Sequence, residues 1–106
     1  MKGDNLGEFE ELVLLAVRAR GDDATGATIQ RELGRSARRA VTLGAIYAAL
    51  DRGERKGLVT SWLGEPQQRP GGRRRRHYAV TRSGERALAE SRRVRDSLWR
   101  AGEATT

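Results

Sequence analysis

The chain has 106 residues, enough for one domain with a modest core, and carries 21 lysine or arginine side chains against 14 aspartate or glutamate, a formal net charge of +7. That balance, with a sequence pI of about 11.1, points to an anionic partner such as nucleic acid or anionic lipid. The lack of cysteine excludes disulfides, thiolate metal sites and cysteine nucleophiles.

Residues 6–20 set Phe9, Leu12, Val13, Ala16 and Val17 at i, i+3, i+4, i+7 and i+8, one apolar face of a helix. Asn5 is its candidate cap, and Gly21-Asp22-Asp23 breaks it. A short second helix is predicted over residues 25–33, with Thr25 as N-cap, Ile29 and Leu33 on one face and Gly34 as the stop. Residues 35–41 form a basic connection carrying Arg35, Arg38 and Arg39. A third helix is predicted over residues 43–56, capped by Thr42, with Leu43, Ile46, Tyr47 and Leu50 on its apolar face and Gly57 at the left-handed position after its end. Gly53 inside this helix costs roughly 1 kcal/mol against alanine.

Residues 58–63 are rich in strand formers, residues 64–73 read as a loop through Gly64, Pro66, Pro70, Gly71 and Gly72, and a strand resumes over residues 76–81. The result is a hairpin with a long tip that ends in Arg73, Arg74, Arg75 and Arg76. Thr81 or Ser83 starts the last helix, which is predicted to run to about Arg100, with residues 101–106 frayed. Ala87, Ser91, Val94 and Leu98 make a short heptad-like seam, with Leu88 and Trp99 beside it. No earlier segment is left to cover that seam, so it calls for a partner, most simply a second copy of the chain. The charge is uneven. Residues 1–33 hold four basic and seven acidic side chains, and residues 34–106 hold seventeen and seven.

Three short helices followed by a basic hairpin is the order of a winged helix-turn-helix. The expected fold is mainly α with a small β hairpin: a winged-helix domain over residues 1–81, then a C-terminal dimerisation helix and tail over residues 82–106. An α-helix fits the major groove of duplex DNA, and in this arrangement the third helix enters it by its N-terminal end. Thr42, Gly44, Ala45 and Ala48 are small enough for close backbone approach, and free N–H groups at a helix start favour phosphate; equally, such residues are ordinary helix filler. Guanidinium forks match phosphate oxygens, so Arg38, Arg39, Arg73, Arg74 and Arg75, with Lys56, are the candidate backbone contacts.

Catalysis finds no support. His77 reads as a strand surface residue, the pairs Glu10-Glu11 and Asp22-Asp23 as solvated carboxylates, and Trp62 as packing. No nucleophile–base pair, metal-ligand spacing or phosphate-binding glycine loop is present, so no enzyme activity, cofactor or metal is expected. No apolar run approaches the roughly 20 residues that span a bilayer, and the first five residues lack the apolar core of a signal peptide. A cytoplasmic protein without membrane contact is the expectation.

The stretches Leu6-Gly7-Glu8-Phe9-Glu10-Glu11-Leu12-Val13-Leu14-Leu15-Ala16-Val17, Leu43-Gly44-Ala45-Ile46-Tyr47-Ala48-Ala49-Leu50-Asp51-Arg52, Glu54-Arg55-Lys56-Gly57-Leu58-Val59, Gly71-Gly72-Arg73-Arg74-Arg75-Arg76-His77-Tyr78-Ala79-Val80-Thr81 and Gly84-Glu85-Arg86-Ala87-Leu88 follow one another in this order. Together, from Leu6 to about Trp99, they resemble the PadR-type transcriptional regulators. The resemblance implies a homodimeric DNA-binding repressor of the subfamily with a single C-terminal helix, acting on an inverted repeat. It implies that Tyr47 approaches the DNA backbone, that Thr42 and Gly44 face DNA, and that Gly71, Gly72, Arg73 and Arg74 form the wing tip. The chain departs from the family pattern at Thr25, where an aromatic is usual, and at Gly53, where leucine is usual. Because some relatives bind flat aromatic molecules between the C-terminal helices through tryptophan, Trp99 reads either as packing at the dimer seam or as a contact for a small aromatic effector. The alternative function is a winged-helix protein adaptor whose arginines grip an acidic partner.

Overall fold

The computed structural model describes residues 6–66 and 73–104. The elements are α1 (Glu8–Arg20), a 3-10 turn (Gly21–Asp23), α2 (Gly26–Ser36), α3 (Leu43–Arg55), β1 (Val59–Leu63), β2 (Arg76–Val80) and α4 (Arg82–Ala104). The predicted winged helix is present: three helices close on one core, and an antiparallel hairpin packs against it.

α1 buries Val13, Leu14, Ala16 and Val17, with Phe9 and Leu12 packed at the margin of the core. The predicted cap Asn5 lies outside the described residues; Gly7 occupies the N-cap position, where its N–H donates to Glu10 Oε1 at 3.4 Å. Gly21 ends the helix at φ +58°, a left-handed backbone that glycine adopts without strain. Thr25 caps α2 as expected, and the cap is reciprocal: Thr28 N donates to Thr25 Oγ1 at 3.3 Å and Thr25 N donates to Thr28 Oγ1 at 2.8 Å. Gly34 does not stop α2. The helix continues to Ser36 and closes on Ala37, because the left-handed position that follows is filled by Arg38 at φ +52°.

Thr42 caps α3, its Oγ1 accepting from Ala45 N at 3.1 Å. The buried face of α3 is Ile46, Ala49, Leu50 and Gly53, rotated from the predicted stripe: Leu43 is 40% and Tyr47 46% exposed. The rotation has a simple cause. Ala49 and Gly53 have little side chain, so α3 comes closest to α1 and β1 along that side, with Leu14 and Val59 facing Gly53. Gly57 stands at φ +75°, as the chain turns into β1.

The hairpin pairs Val59 with Val80, Ser61 with Tyr78 and Leu63 with Arg76. Tyr78 N also donates to Ala24 O at 2.9 Å, which stitches β2 to the α1–α2 connection. Thr81, not Ser83, caps α4: its hydroxyl accepts from Gly84 N at 3.1 Å and donates to Gly57 O at 2.6 Å. α4 runs through Ala104, so residues 101–104, expected to fray, are helical. At 23 residues it is about 34 Å long. Its first turns lie on the core through Gly84 and Leu88, and its exposed second half gives the chain extents of 62 × 29 × 21 Å.

Candidate nucleic-acid interface

The start of α3 combines three properties. Its cap occupies the N–H of Ala45, and helix geometry leaves those of Leu43 and Gly44 directed outward. Gly44, Ala45 and Ala48 are exposed and present almost no side-chain bulk. Beyond them the same exposed side carries Asp51, Arg52 and Arg55, where Arg55 Nη2 donates to Asp51 Oδ2. These three charged residues were missed in the sequence. Their signal was available, since Arg52 lies four residues after Ala48 and Asp51 seven after Gly44.

Tyr47 stands at the edge of this side, its ring over the first residue of α2. A Cβ at Gly26 would overlap the phenol, with Cε1 only 2.9 Å away. Glycine at position 26 is therefore what lets Tyr47 lie there. Thr25, the departure from the family pattern, is 4% exposed and serves as the α2 cap.

The predicted cations divide. Arg38, Arg73, Arg74 and Arg75 are exposed and make no ion pair among the described residues. Gly71 and Gly72 lie outside the described residues. Arg39 is committed inside the protomer: its Nη1 is 2.7 Å from Glu8 Oε2, and its guanidinium lies 5.4 Å from the Phe9 ring centroid. Lys56, expected as a phosphate contact, is set at the opposite end of α3 from Thr42 and is paired with Glu10 at 2.9 Å, which ties α3 to α1. On the hairpin, Trp62 and His77 are cross-strand partners whose rings stack at 5.8 Å and 18°. Tyr78 is buried on the other face; burial holds its phenol above the ordinary value of 10, with smaller contributions from Tyr47, Glu54 and Asp51, partly opposed by Arg76.

The predicted seam of α4 also divides. Leu88 belongs to the protomer's own core at 6% exposure, Ala87 packs at its margin, and Ser91 donates to Glu11 Oε2 at 3.0 Å. Arg95 pairs with the other oxygen of Glu11 at 2.7 Å, and that carboxylate keeps the guanidinium above its ordinary pKa. Val94, Leu98 and Trp99 remain 41%, 69% and 72% exposed. Trp99 lines a cleft of about 520 Å³ between α1 and α4, with Leu15, Leu88 and Ala89 on its apolar walls and Arg18, Arg92 and Asp96 around it. Among the described residues there is no group of three or more metal-ligating side chains, and no helix is long and apolar enough to cross a membrane.

The profile of the transcriptional regulator PadR-like family matches residues 13–90, from α1 through the hairpin into α4. The chain belongs to that family. Solved PadR-like structures share its fold. A PadR-like transcription factor from Bacteroides fragilis superposes with a TM-score of 0.76 at 24% identity, over 92% of this chain and 89% of that one. A PadR-like transcriptional regulator from Bacillus cereus gives 0.71 at 20% identity, over 92% and 89%. PadR of Bacillus subtilis, solved in complex with operator DNA, gives 0.66 at 18% identity, over 78% of this chain and 45% of that one. No curated protein sequence matches the chain.

Proposed function

We propose that this PadR-like regulator is a homodimer that binds double-stranded DNA sequence-specifically and represses transcription at an inverted repeat. The observation that carries the reading is the N-terminal half of α3, an exposed helix start with outward N–H groups and a surface of Gly44, Ala45 and Ala48. Such a surface suits entry into a major groove, where alanine side chains can meet thymine methyls. Arg38, Arg73, Arg74 and Arg75, without ion-pair partners among the described residues, would supply phosphate contacts, and Tyr47 would approach the backbone from the α2 side. Two copies joined along Val94 and Leu98 would set their α3 helices about 34 Å apart, one turn of duplex. That the Bacillus subtilis relative forms a complex with operator DNA supports the same reading. The cleft beside Trp99 has the volume of a small-molecule site, and a small aromatic effector there would act on the relation of the two α4 helices.

The test is selection of binding sites from random duplexes, followed by mobility-shift titration. If six to ten phosphates are neutralised per dimer, affinity should fall roughly 10³- to 10⁵-fold between 50 and 200 mM salt. A flat salt response, or selection that returns no shared half-site, overturns the proposal.

A further inference from the structure

Arg76 differs from the three arginines before it. Its Nη1 donates to Ser61 Oγ at 3.1 Å, and Ser61 Oγ donates to Glu54 Oε2 on α3 at 2.7 Å. No other arginine of residues 73–76 has a side-chain partner among the described residues. Ser61 lies on the face of the hairpin that carries Val59, Tyr78 and Arg76, opposite to the face of the Trp62–His77 stack. The stack stiffens the hairpin internally. The hydrogen bonds through Ser61 join it to the helix proposed to enter the groove.

We propose that Ser61 is a positioning residue: the relay Arg76–Ser61–Glu54 orients the wing against α3, so that Arg73, Arg74 and Arg75 are presented at a set distance from the groove-facing residues. The proposal deepens the DNA-binding reading and rests on it. The mechanical reason is the direct attachment of these arginines to the end of β2. Strand pairing ends at Leu63 and Arg76, with one further backbone bond from Gly64 N to Arg75 O at 2.8 Å. A two-stranded hairpin by itself is marginal in water. A rotation of the hairpin against α3 therefore carries Arg73, Arg74 and Arg75 with it. Arg76 is linked to Glu54 through the shared hydroxyl, and it is a support of the wing rather than a phosphate ligand.

The consequence separates geometry from charge. Ser61→Ala removes the link and leaves every ionic group in place. In the full chain, on a fluorescent duplex recovered by the selection, Ser61→Ala should bind about tenfold more weakly at every salt concentration. That loss is the cost of ordering, on binding, two wings whose orientation the relay no longer fixes beforehand. The slope of log affinity against log salt should match the parent, because no phosphate contact is lost. Arg73→Ala should instead flatten the slope by about one per contact removed. Ser61→Thr, which keeps the hydroxyl on a strand, should restore binding to within about twofold. Ser61→Ala should melt within a few degrees of the parent, since the contacts it loses are exposed, which excludes general unfolding. Parent-like affinity for Ser61→Ala, a changed slope, or no rescue by threonine overturns the relay while leaving the DNA-binding reading intact. A parent chain that binds no duplex overturns that reading, and the relay with it.

Discussion

Gly53 invites a substitution whose sign the structure determines. It lies in the interior of α3, buried, at a position with helical backbone. A Cβ there would meet Leu14 Cδ1 and Val59 Cγ2 at 3.5 Å each, and Val59 Cβ at 3.8 Å, which is ordinary van der Waals contact on both sides. Gly53→Ala therefore gains the helix propensity of alanine, about 1 kcal/mol, and buries a methyl group worth about 0.5 kcal/mol more. The sum of about 1.5 kcal/mol corresponds to a rise in melting temperature of roughly 6–12 °C for a domain of this size. Urea unfolding followed by circular dichroism, at fixed protein concentration because a dimer couples stability to concentration, should show a higher midpoint with an unchanged slope. Gly53→Leu, the residue usual in the family, should do the opposite. The first carbon already fills the space, and three further carbons overpack the site by about 1–3 kcal/mol. An alanine variant with an unchanged or lower midpoint would refute the reasoning, since it would mean that Leu14 and Val59 close on Gly53 more tightly than their distances indicate.

Other expectations follow from neighbouring features. Gly84→Ala should destabilise by about 2–4 kcal/mol, read in the same urea assay, because its Cβ would strike Leu58 O and lie 2.6 Å from Val80 Cγ1 where α4 starts. Leu98→Glu or Val94→Glu should shift sedimentation from dimer to monomer, because it sets like charges against each other in the proposed seam; an unchanged dimer places the interface elsewhere. Glu32 is nearly buried and its carboxyl is held below the ordinary 4.5, first by the Ser36 hydroxyl and then, against the cost of burial, by Arg35 and Arg20. A depressed folded pKa contributes stability that is present above pH 4.5 and lost as pH falls below it. Acid unfolding of Glu32→Gln should accordingly show a weaker dependence on pH below 4.5 than the parent, and identical acid limbs would contradict the assignment.

Much of the fold was legible from local chemistry. Thr25 and Thr42 are threonines placed before apolar periodic runs, and capping is decided within three residues, so both caps are where the sequence puts them. Gly57 and the strand formers around the arginine run are equally local signals. Gly34 misled because a left-handed residue after a helix prefers glycine without requiring it, and Arg38 takes that conformation instead. Leu43 and Tyr47 misled because period alone leaves the phase of a helix free; the closeness allowed by Ala49 and Gly53 turned α3 away from them.

The candidate site divides along the same line between local and tertiary features. The family, the helix start at Thr42 and the run from Arg73 to Arg76 are properties of residues near one another in the chain, and the sequence alone determined them. Which cations remain without ion pairs was a matter of tertiary structure. Lys56 meets Glu10 46 residues away, Arg39 meets Glu8 31 residues away, and Arg76 reaches Glu54 only through Ser61. Leu88, read as lying beside the seam of α4, joins the protomer's own core by the same kind of contact. A charge or an apolar side chain can be counted from sequence, but its availability depends on what the fold brings within 3 or 4 Å of it.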